Sequence, residues 1–387
     1  MKRVSPAQRH PRGLAACCAL SLVLATACGG ATSATKPVVT VKPADPRAAR
    51  LYLEGVKQLG QRGAEAEPRA IQSFEEALRI DPKLWEAHYN LGVIHRRRGE
   101  LRKALLHLEA AHALDSAAGE PLIALAETQH ALGEREQAAE LLEQYIQAHP
   151  EANEVRIALT SVLRERGAYD EALARAREAL VRDPANVPAL LEVGRIYKAR
   201  GDFDVAELVF QKVLALDGKN ATAHNDLGLL ALARGDTQRA FDEFDKAVGS
   251  DPSFTAARMN QASVLLRSGD YAAARQEYDK VLEVDATLVD ARVGLGIALR
   301  GLGKHAQAEQ EYERALREEP NHPAALFDLA LLRADHLDQK AKARALFERF
   351  LEVAAKDEPQ RLLAERYLSE LAAAQELAAD SSTAEAP

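Results

Sequence analysis

Residues 85–116 read WEAHYNLGVIHRRRGELRKALLHLEAAHALDS, two runs of helical periodicity that meet at Gly99. The same punctuation returns at Gly133, Gly167, Gly201, Gly235, Gly269 and Gly303, each 34 residues after the last. A second ladder keeps step five residues later at Ala104, Ala138, Ala172, Ala206, Ala240, Ala274 and Ala308, and Ala70 extends it upstream. Two coincident ladders of this length mark an internal repeat, which takes precedence over any local reading.

Physical chemistry assigns each rung a task. Glycine adopts a left-handed helix cap at least cost, so each Gly closes the first helix, A, of its unit. Glu100, Glu134, Asp202, Asp236 and Asp270 follow it and suit the N-terminus of the second helix, B. The small Ala marks where two helices approach too closely for a larger side chain. Pro82, Pro150, Pro184, Pro252 and Pro320 end helix B, because proline cannot extend one. Apolar residues fall at helical spacing between these marks: Leu227, Gly228 and Ala231 on one face, and Ala240, Phe244 and Ala247 on the next.

Helix–turn–helix units with this pattern of small and large positions at a 34-residue period resemble the tetratricopeptide repeat (TPR) family. The resemblance implies an all-α, right-handed superhelical solenoid of about nine units over residues 47–356. Eight units begin at Trp85, Gly119, Asn153, Val187, Ala221, Thr255, Val289 and Pro323, after a degenerate first unit at 47–84 that carries an insertion at 63–68. The last unit replaces its turn with RADHLDQKAK, 333–342, without glycine. Residues 357–378 contain an amphipathic stretch expected to cap the stack, and 379–387 are expected to be a disordered tail.

Catalytic signals are weak. There is no GxSxG, P-loop or GxGxxG, and the acidic residues are dispersed over solvated helix faces. His107 and His112 are five apart rather than at the i, i+4 spacing of a helical zinc pair, and His88 and His95 fall at core-facing positions. Asp335, His336 and Asp338 read as a polar loop. We expect no enzymatic activity, no metal, no small-molecule substrate and no cofactor beyond a covalent lipid, argued next.

The first 27 residues read as a removable export signal: Lys2, Arg3, Arg9 and Arg12 precede the uncharged stretch 14–27, too short for a bilayer span of about 20 residues. Thr26-Ala27-Cys28 followed by two glycines resembles a bacterial lipobox, although Ala25 stands where that motif usually has Leu, Val or Ile. The resemblance implies lipidation of Cys28; the alternative is a secreted or periplasmic chain with one free thiol. Removing the signal discards Cys17 and Cys18 and leaves Cys28 alone, so no disulfide can form within the mature chain. Gly29 after the cysteine implies sorting to the periplasmic face of the outer membrane. Residues 28–46, small and proline-rich, read as a tether of roughly 25 Å end to end.

The formal net charge is −8, falling to −12 once the four cations of the signal are removed, which argues against nucleic-acid binding. That leaves proteins as ligands. With helix A positions 4, 7, 8 and 11 facing the core, positions 2, 5, 9 and 12 are expected to line a concave groove. Position 5 supplies Tyr89, Ile123, Ile157, Leu191, Asn225, Met259, Val293 and Phe327. Position 9 supplies Val93, Arg195, Leu229, Ile297 and Leu331, and position 12 supplies Arg96, Arg164, Lys198, Leu266 and Arg300. An apolar strip with interspersed cations is expected to bind an amphipathic or extended segment bearing acidic residues, unless superhelical winding buries it as packing. Exported lipoproteins of similar plan imply an envelope scaffold of a gliding-motility or other envelope-spanning complex. The alternatives are a pilotin-like assembly factor for a secretin or type IV pilus, and an adaptor for peptidoglycan enzymes.

Overall fold

The computed structural model describes residues 45–61 and 65–384, with side chains to 373. Cys28, the export signal and the tether to residue 44 lie outside the described residues. So do residues 62–64, which include the start of the first unit's insertion, and 385–387. The described chain divides between Glu318 and Glu319 into two units. All regular structure among the described residues is helical, giving the all-α superhelical repeat fold that the 34-residue period predicts.

The first unit begins with α1 (Pro46–Leu59) and α2 (Ala66–Ile80), followed by α3 (Trp85–Arg97) and α4 (Leu101–Leu114). Next come α5 (Gly119–Ala131) and α6 (Arg135–Ala148), then α7 (Asn153–Glu165) and α8 (Tyr169–Arg182). α9 (Val187–Arg200) pairs with α10 (Phe203–Leu216), and α11 (Ala221–Ala233) with α12 (Thr237–Ser250). α13 (Thr255–Ser268) and α14 (Tyr271–Val284) precede α15 (Val289–Gly301) and α16 (His305–Glu318). Consecutive helices pack together, and α3, α5, α7, α9 and α11 also touch in succession, as do α13 and α15. The odd-numbered helices from α3 to α15, α11 and α13 being joined by a bond between Asn225 and Asn260, therefore form one wall.

The ladders do what their chemistry predicts. Every ladder glycine from Gly99 to Gly303 has φ between 71° and 85°, while a Cβ there would meet nothing within 4 Å. Glycine is thus required by backbone conformation rather than by space. The ladder alanines from Ala70 to Ala308 are all fully buried. Asp236 and Asp270 accept the N3 amides of Arg239 and Ala273, but Glu100, Glu134 and Asp202 make no side-chain cap bond. Asn186 and Asn220 cap α9 and α11 in the same way, a role not anticipated from the period.

Core complementarity alternates small with large. Position 8 of helix A holds glycine where helix B supplies a bulky ring or leucine: Gly92 against Leu108, Gly194 against Phe210, Gly228 against Phe244, Gly296 against Tyr312. A Cβ at any of these glycines would lie 2.4–2.5 Å from the facing side chain. The repeat starting at Asn153 inverts the choice at these two positions, which hold Thr160 and Ala176, both buried.

The second unit holds α17 (Pro323–Asp335), α18 (Lys340–Val353) and α19 (Gln360–Ala384). Its turn carries one extra residue relative to the period, and Asp338, at φ 50°, takes the left-handed conformation that glycine takes elsewhere. α19 packs on α18, burying Ala364 and Leu371. Arg361 donates to the carbonyls of Leu351 and Ala354 at 2.7 and 3.0 Å, so it caps the C-terminus of α18. The expected capping helix is present, but it runs to Ala384. Helix thus extends through much of the segment read as a disordered tail, because residues 371–380 (LAAAQELAAD) are themselves rich in strong helix formers.

Candidate protein-binding surface

The structure sorts the residues proposed for the wall. Tyr89, Leu191, Arg195, Asn225, Leu266, Val293 and Phe327 are buried, contrary to an open groove at those points. The reason is the contact between successive A helices, which turns position 5 into a seam at Tyr89, Leu191, Asn225 and Val293. Tyr89 packs with Ala124 and Leu125 of α5, and Leu191 with Ala223 and Leu227 of α11. The amide of Asn225 accepts from Asn260 of α13 at 2.9 Å. In the second unit Phe327 packs edge-on to Phe347 and against Phe350.

Val93, Arg96, Ile123, Ile157, Arg164, Lys198, Leu229, Met259, Ile297, Arg300 and Leu331 are half-buried. Of these, Leu229, Met259 and Ile297, together with Leu232, leave apolar surface on the α11–α15 part of the wall.

The cations are mostly committed within the chain, which corrects the expectation that they await acidic residues of a ligand. Arg96 holds Glu127 on the next A helix. Farther along, His130 of α5 bonds Glu165 of α7, whose carboxylate also meets Arg164 at 3.0 Å. Arg164 reaches Glu192 of α9 at 3.0 Å, Glu192 meets Arg195 at 2.8 Å, and Arg195 reaches Asp226 of α11 at 2.8 Å. Six side chains thus stitch four consecutive A helices.

Burial works against charge throughout this chain, and pairing outweighs it. Burial opposes the Arg195 guanidinium, yet Asp226 and Glu192 raise its pKa. Arg164 is raised in the same way by Glu192 and Glu165. Burial would lift the Glu165 carboxyl, but His130 and Arg164 hold it below the usual carboxylate range. Lys198 is the exception: burial, reinforced by Arg195 and Arg164, lowers its pKa against the pull of Asp226 and Glu192.

Sequence reasoning named the cations and missed their acids. The signal was available: a cation at position 9 or 12 faces an acid 28–35 residues on, at the corresponding level of the next A helix.

A second ladder lies inside three successive helix pairs, α11–α12, α13–α14 and α15–α16. His224–Glu243, Arg258–Glu277 and Arg292–Glu311 join position 4 of helix A to the residue 19 further on, at 2.8, 2.5 and 3.2 Å. At the equivalent place in the repeat of Trp85 stand two histidines, with His88 Nδ1 3.1 Å from His107 Nδ1. His95 stacks on His107 at 5.6 Å and bonds Glu100 at 2.8 Å. Spacing along the sequence gave no hint of this three-ring cluster. No group of three or more potential metal ligands suited to an ion occurs among the described residues. Asp335 is engaged by the Tyr367 hydroxyl at 2.8 Å.

On the even-helix side a cleft of about 510 Å³ lies between α6, α7 and α8. Its charges answer one another, Arg175 bonding Glu143 at 2.7 Å and Glu178 at 2.9 Å. No helix among the described residues is long and apolar enough to cross a membrane.

Family models described as Tetratricopeptide repeat match residues 85–118, 123–187, 191–253, 231–298 and 293–359. No curated protein matches the sequence. Among solved structures the chain is similar to the APC/C hetero-tetramer Cut9–Hcn1, at 15% identity over 83% of this chain and 62% of that one, with a TM-score of 0.53. It is similar to yeast Tom70 at 19% identity over 88% of this chain and 68% of that one, also with a TM-score of 0.53. A likeness to Pseudomonas aeruginosa pilF has 23% identity over 53% of this chain and 95% of that one, with a TM-score of 0.42. At 15% and 19% identity, what Cut9–Hcn1 and Tom70 share with this chain is the fold.

Proposed function

This chain belongs to the tetratricopeptide repeat family, and from that premise we propose that it is an exported, lipid-anchored, non-enzymatic scaffold for envelope proteins. The solenoid is a protein–protein interaction scaffold in the sense of its family. The finer reading places it at the periplasmic face of the outer membrane, held by lipid on Cys28, within a gliding-motility or other envelope-spanning complex. The lipobox-like residues before Cys28, the basic leader and the lone cysteine of the mature chain support export and anchoring.

One observation carries the binding role. On α11–α15 the wall turns from ion pairs to Leu229, Leu232, Met259 and Ile297, apolar side chains that the helices leave partly open to water. Apolar surface on a soluble wall, rimmed by polar residues, favours a partner.

A photo-crosslinking residue placed at Met259 in the native host tests this, with the same residue at Leu208, an exposed position on α10, as control. A discrete adduct at 259 and none at 208 is expected; equal labelling at both would overturn the assignment of the wall. Fractionation of wild type and Cys28→Ala tests the anchor: the wild type should sediment with outer membrane and the variant should not.

A further inference from the structure

The cations of the wall differ in what they hold. Arg96, Arg164 and Arg195 each engage at least one carboxylate of the chain. Lys198 occupies position 12 of its repeat, as Arg96 and Arg164 do in theirs. Yet no hydrogen bond or ion pair to its ammonium occurs among the described residues, and it stands outside those with further contacts. The acids that could serve it are already spoken for. Glu192 is shared between Arg164 and Arg195, Asp226 bonds Arg195, and Glu165 is divided between Arg164 and His130.

A half-buried ammonium without a counter-charge is costly, and its neighbours aggravate the cost. Arg195 and Arg164 both act on Lys198 unfavourably, whereas Asp226 and Glu192 attract it without reaching it. Lys198 lies one helical turn beyond Arg195 on α9, and Arg195 reaches Asp226 of α11, the helix that also carries Leu229 and Leu232. The unpartnered cation therefore sits where the ion-paired part of the wall gives way to the apolar part.

We propose that Lys198 anchors the partner, by pairing with an aspartate or glutamate side chain in a protein segment whose apolar residues lie along Leu229, Leu232, Met259 and Ile297. This rests on the wall being the binding surface, as argued above. A carboxylate arriving here supplies the one charge that the chain does not provide. It is also partly shielded from water, where a charge-assisted hydrogen bond is strengthened. Lys198 then contributes selectivity: a segment with the same apolar residues but no acid strands the ammonium behind it.

The test selects a random 12-residue peptide library, displayed on phage with free N-termini and no free C-termini, against the full purified chain. Recovered peptides are then titrated against wild type, Lys198→Met, Lys198→Arg and Met259→Glu, with helicity of each variant checked by circular dichroism. We expect an Asp or Glu beside apolar residues in the recovered peptides. Binding should be at least tenfold weaker to Lys198→Met, within threefold of wild type for Lys198→Arg, and lost with Met259→Glu. The NMR titration midpoint of Lys198, followed at its isotopically methylated amine, should rise when such a peptide is added; a structural lysine would not respond.

Peptides without an acid that bind Lys198→Met as they bind wild type, and still fail on Met259→Glu, would overturn the anchor while leaving the wall intact. Peptides indifferent to both substitutions, or none recovered, would overturn the wall and the anchor together.

Discussion

Arg195 Nε donates to Asp226 Oδ2 at 2.8 Å across the junction of α9 and α11, and both side chains are buried. The pair closes a chain of charges that begins at His130, so α5, α7, α9 and α11 are each fixed to the next by buried or half-buried charges. Breaking such a pair from one side leaves a buried charge without compensation, which costs about 3–5 kcal/mol. Arg195→Met should therefore accelerate amide exchange in α9 and α11 far more than in α3 or α15. Adding Asp226→Asn to that variant should restore part of the loss. A double variant as unstable as the sum of its singles would show that the two residues do not act as a pair. Exchange is the better readout, because a solenoid opens locally rather than all at once.

The glycines of the fold divide into two kinds that one substitution separates. Gly235, at φ 80° with open space around it, should lose roughly 1–2 kcal/mol on becoming Ala, from the left-handed backbone alone. Gly228 is helical, so alanine there gains about 1 kcal/mol of helix propensity, but its Cβ would meet Phe244 at 2.5 Å inside a packed core. Overpacking of about 1–3 kcal/mol outweighs the gain and makes Gly228→Ala destabilising. In a Phe244→Ala background the order should reverse, and Gly228→Thr should then be tolerated, because the equivalent positions of the Asn153 repeat hold Thr160 and Ala176, both buried. Thermal melts of the five variants decide it; if Gly228→Ala is harmful in both backgrounds, the ring is not what excludes a side chain.

The fold was legible because a solenoid writes each structural demand many times over. Left-handed caps, buried alanines and the prolines after α2, α6, α8, α12 and α16 all recur at one period, so chance agreement drops out. The wall was legible only in part. Position 5 was assigned to the groove by elimination from helix geometry. That count omits the neighbouring A helix, whose approach buries Tyr89, Leu191, Asn225 and Val293. The ion pairs were hidden for a different reason. Each partner is an ordinary surface residue by type, and only the offset between repeats brings Arg164 to Glu192 or Arg195 to Asp226. Asp338 shows the limit of reading a gap: a missing glycine signalled a changed turn, but the added residue that takes its left-handed conformation emerged only from the backbone.

The second unit is tied by Tyr367, whose hydroxyl donates to both oxygens of Asp335 at 2.8 and 3.1 Å while its ring stacks on Phe347 at 5.2 Å. Burial first, and then the neighbouring carboxylate, push its pKa up to about 12. Tyr367→Phe keeps the stack and loses the hydrogen bonds, so it should cost about 1 kcal/mol; Tyr367→Ala should cost 3 or more. Exchange protection of α19 reports both. Equal losses for the two variants would mean that the hydroxyl, rather than the ring, holds the helix.

The histidine cluster makes the repeat of Trp85 sensitive to acid. Burial, and then the charges of His88 and His95, push His107 down to about 4, and burial also lowers His88 against a hydrogen bond that its ring donates to the Pro82 carbonyl. In the unfolded chain both rings titrate near 6.5, so between that pH and about 4 the unfolded state binds more protons. Stability from these rings is therefore complete above pH 6.5 and is lost as the pH falls toward 4. For His107 the loss is on the order of 2 kcal/mol, allowing for the water that still reaches the ring. Glu100 and Lys103, the nearby charged pair, contribute in a lower window: Lys103 first, then His95, hold the Glu100 carboxyl below its ordinary value, so its share is lost as the pH falls below about 4.5. His107→Glu converts the site to the His–Glu pair that His224 and Glu243 form at 2.8 Å. That variant should stabilise α3 and α4 at pH 6 and flatten or reverse the dependence between pH 6.5 and 4, measured by exchange protection in these two helices. The same slope in wild type and variant would exclude the rings as its source.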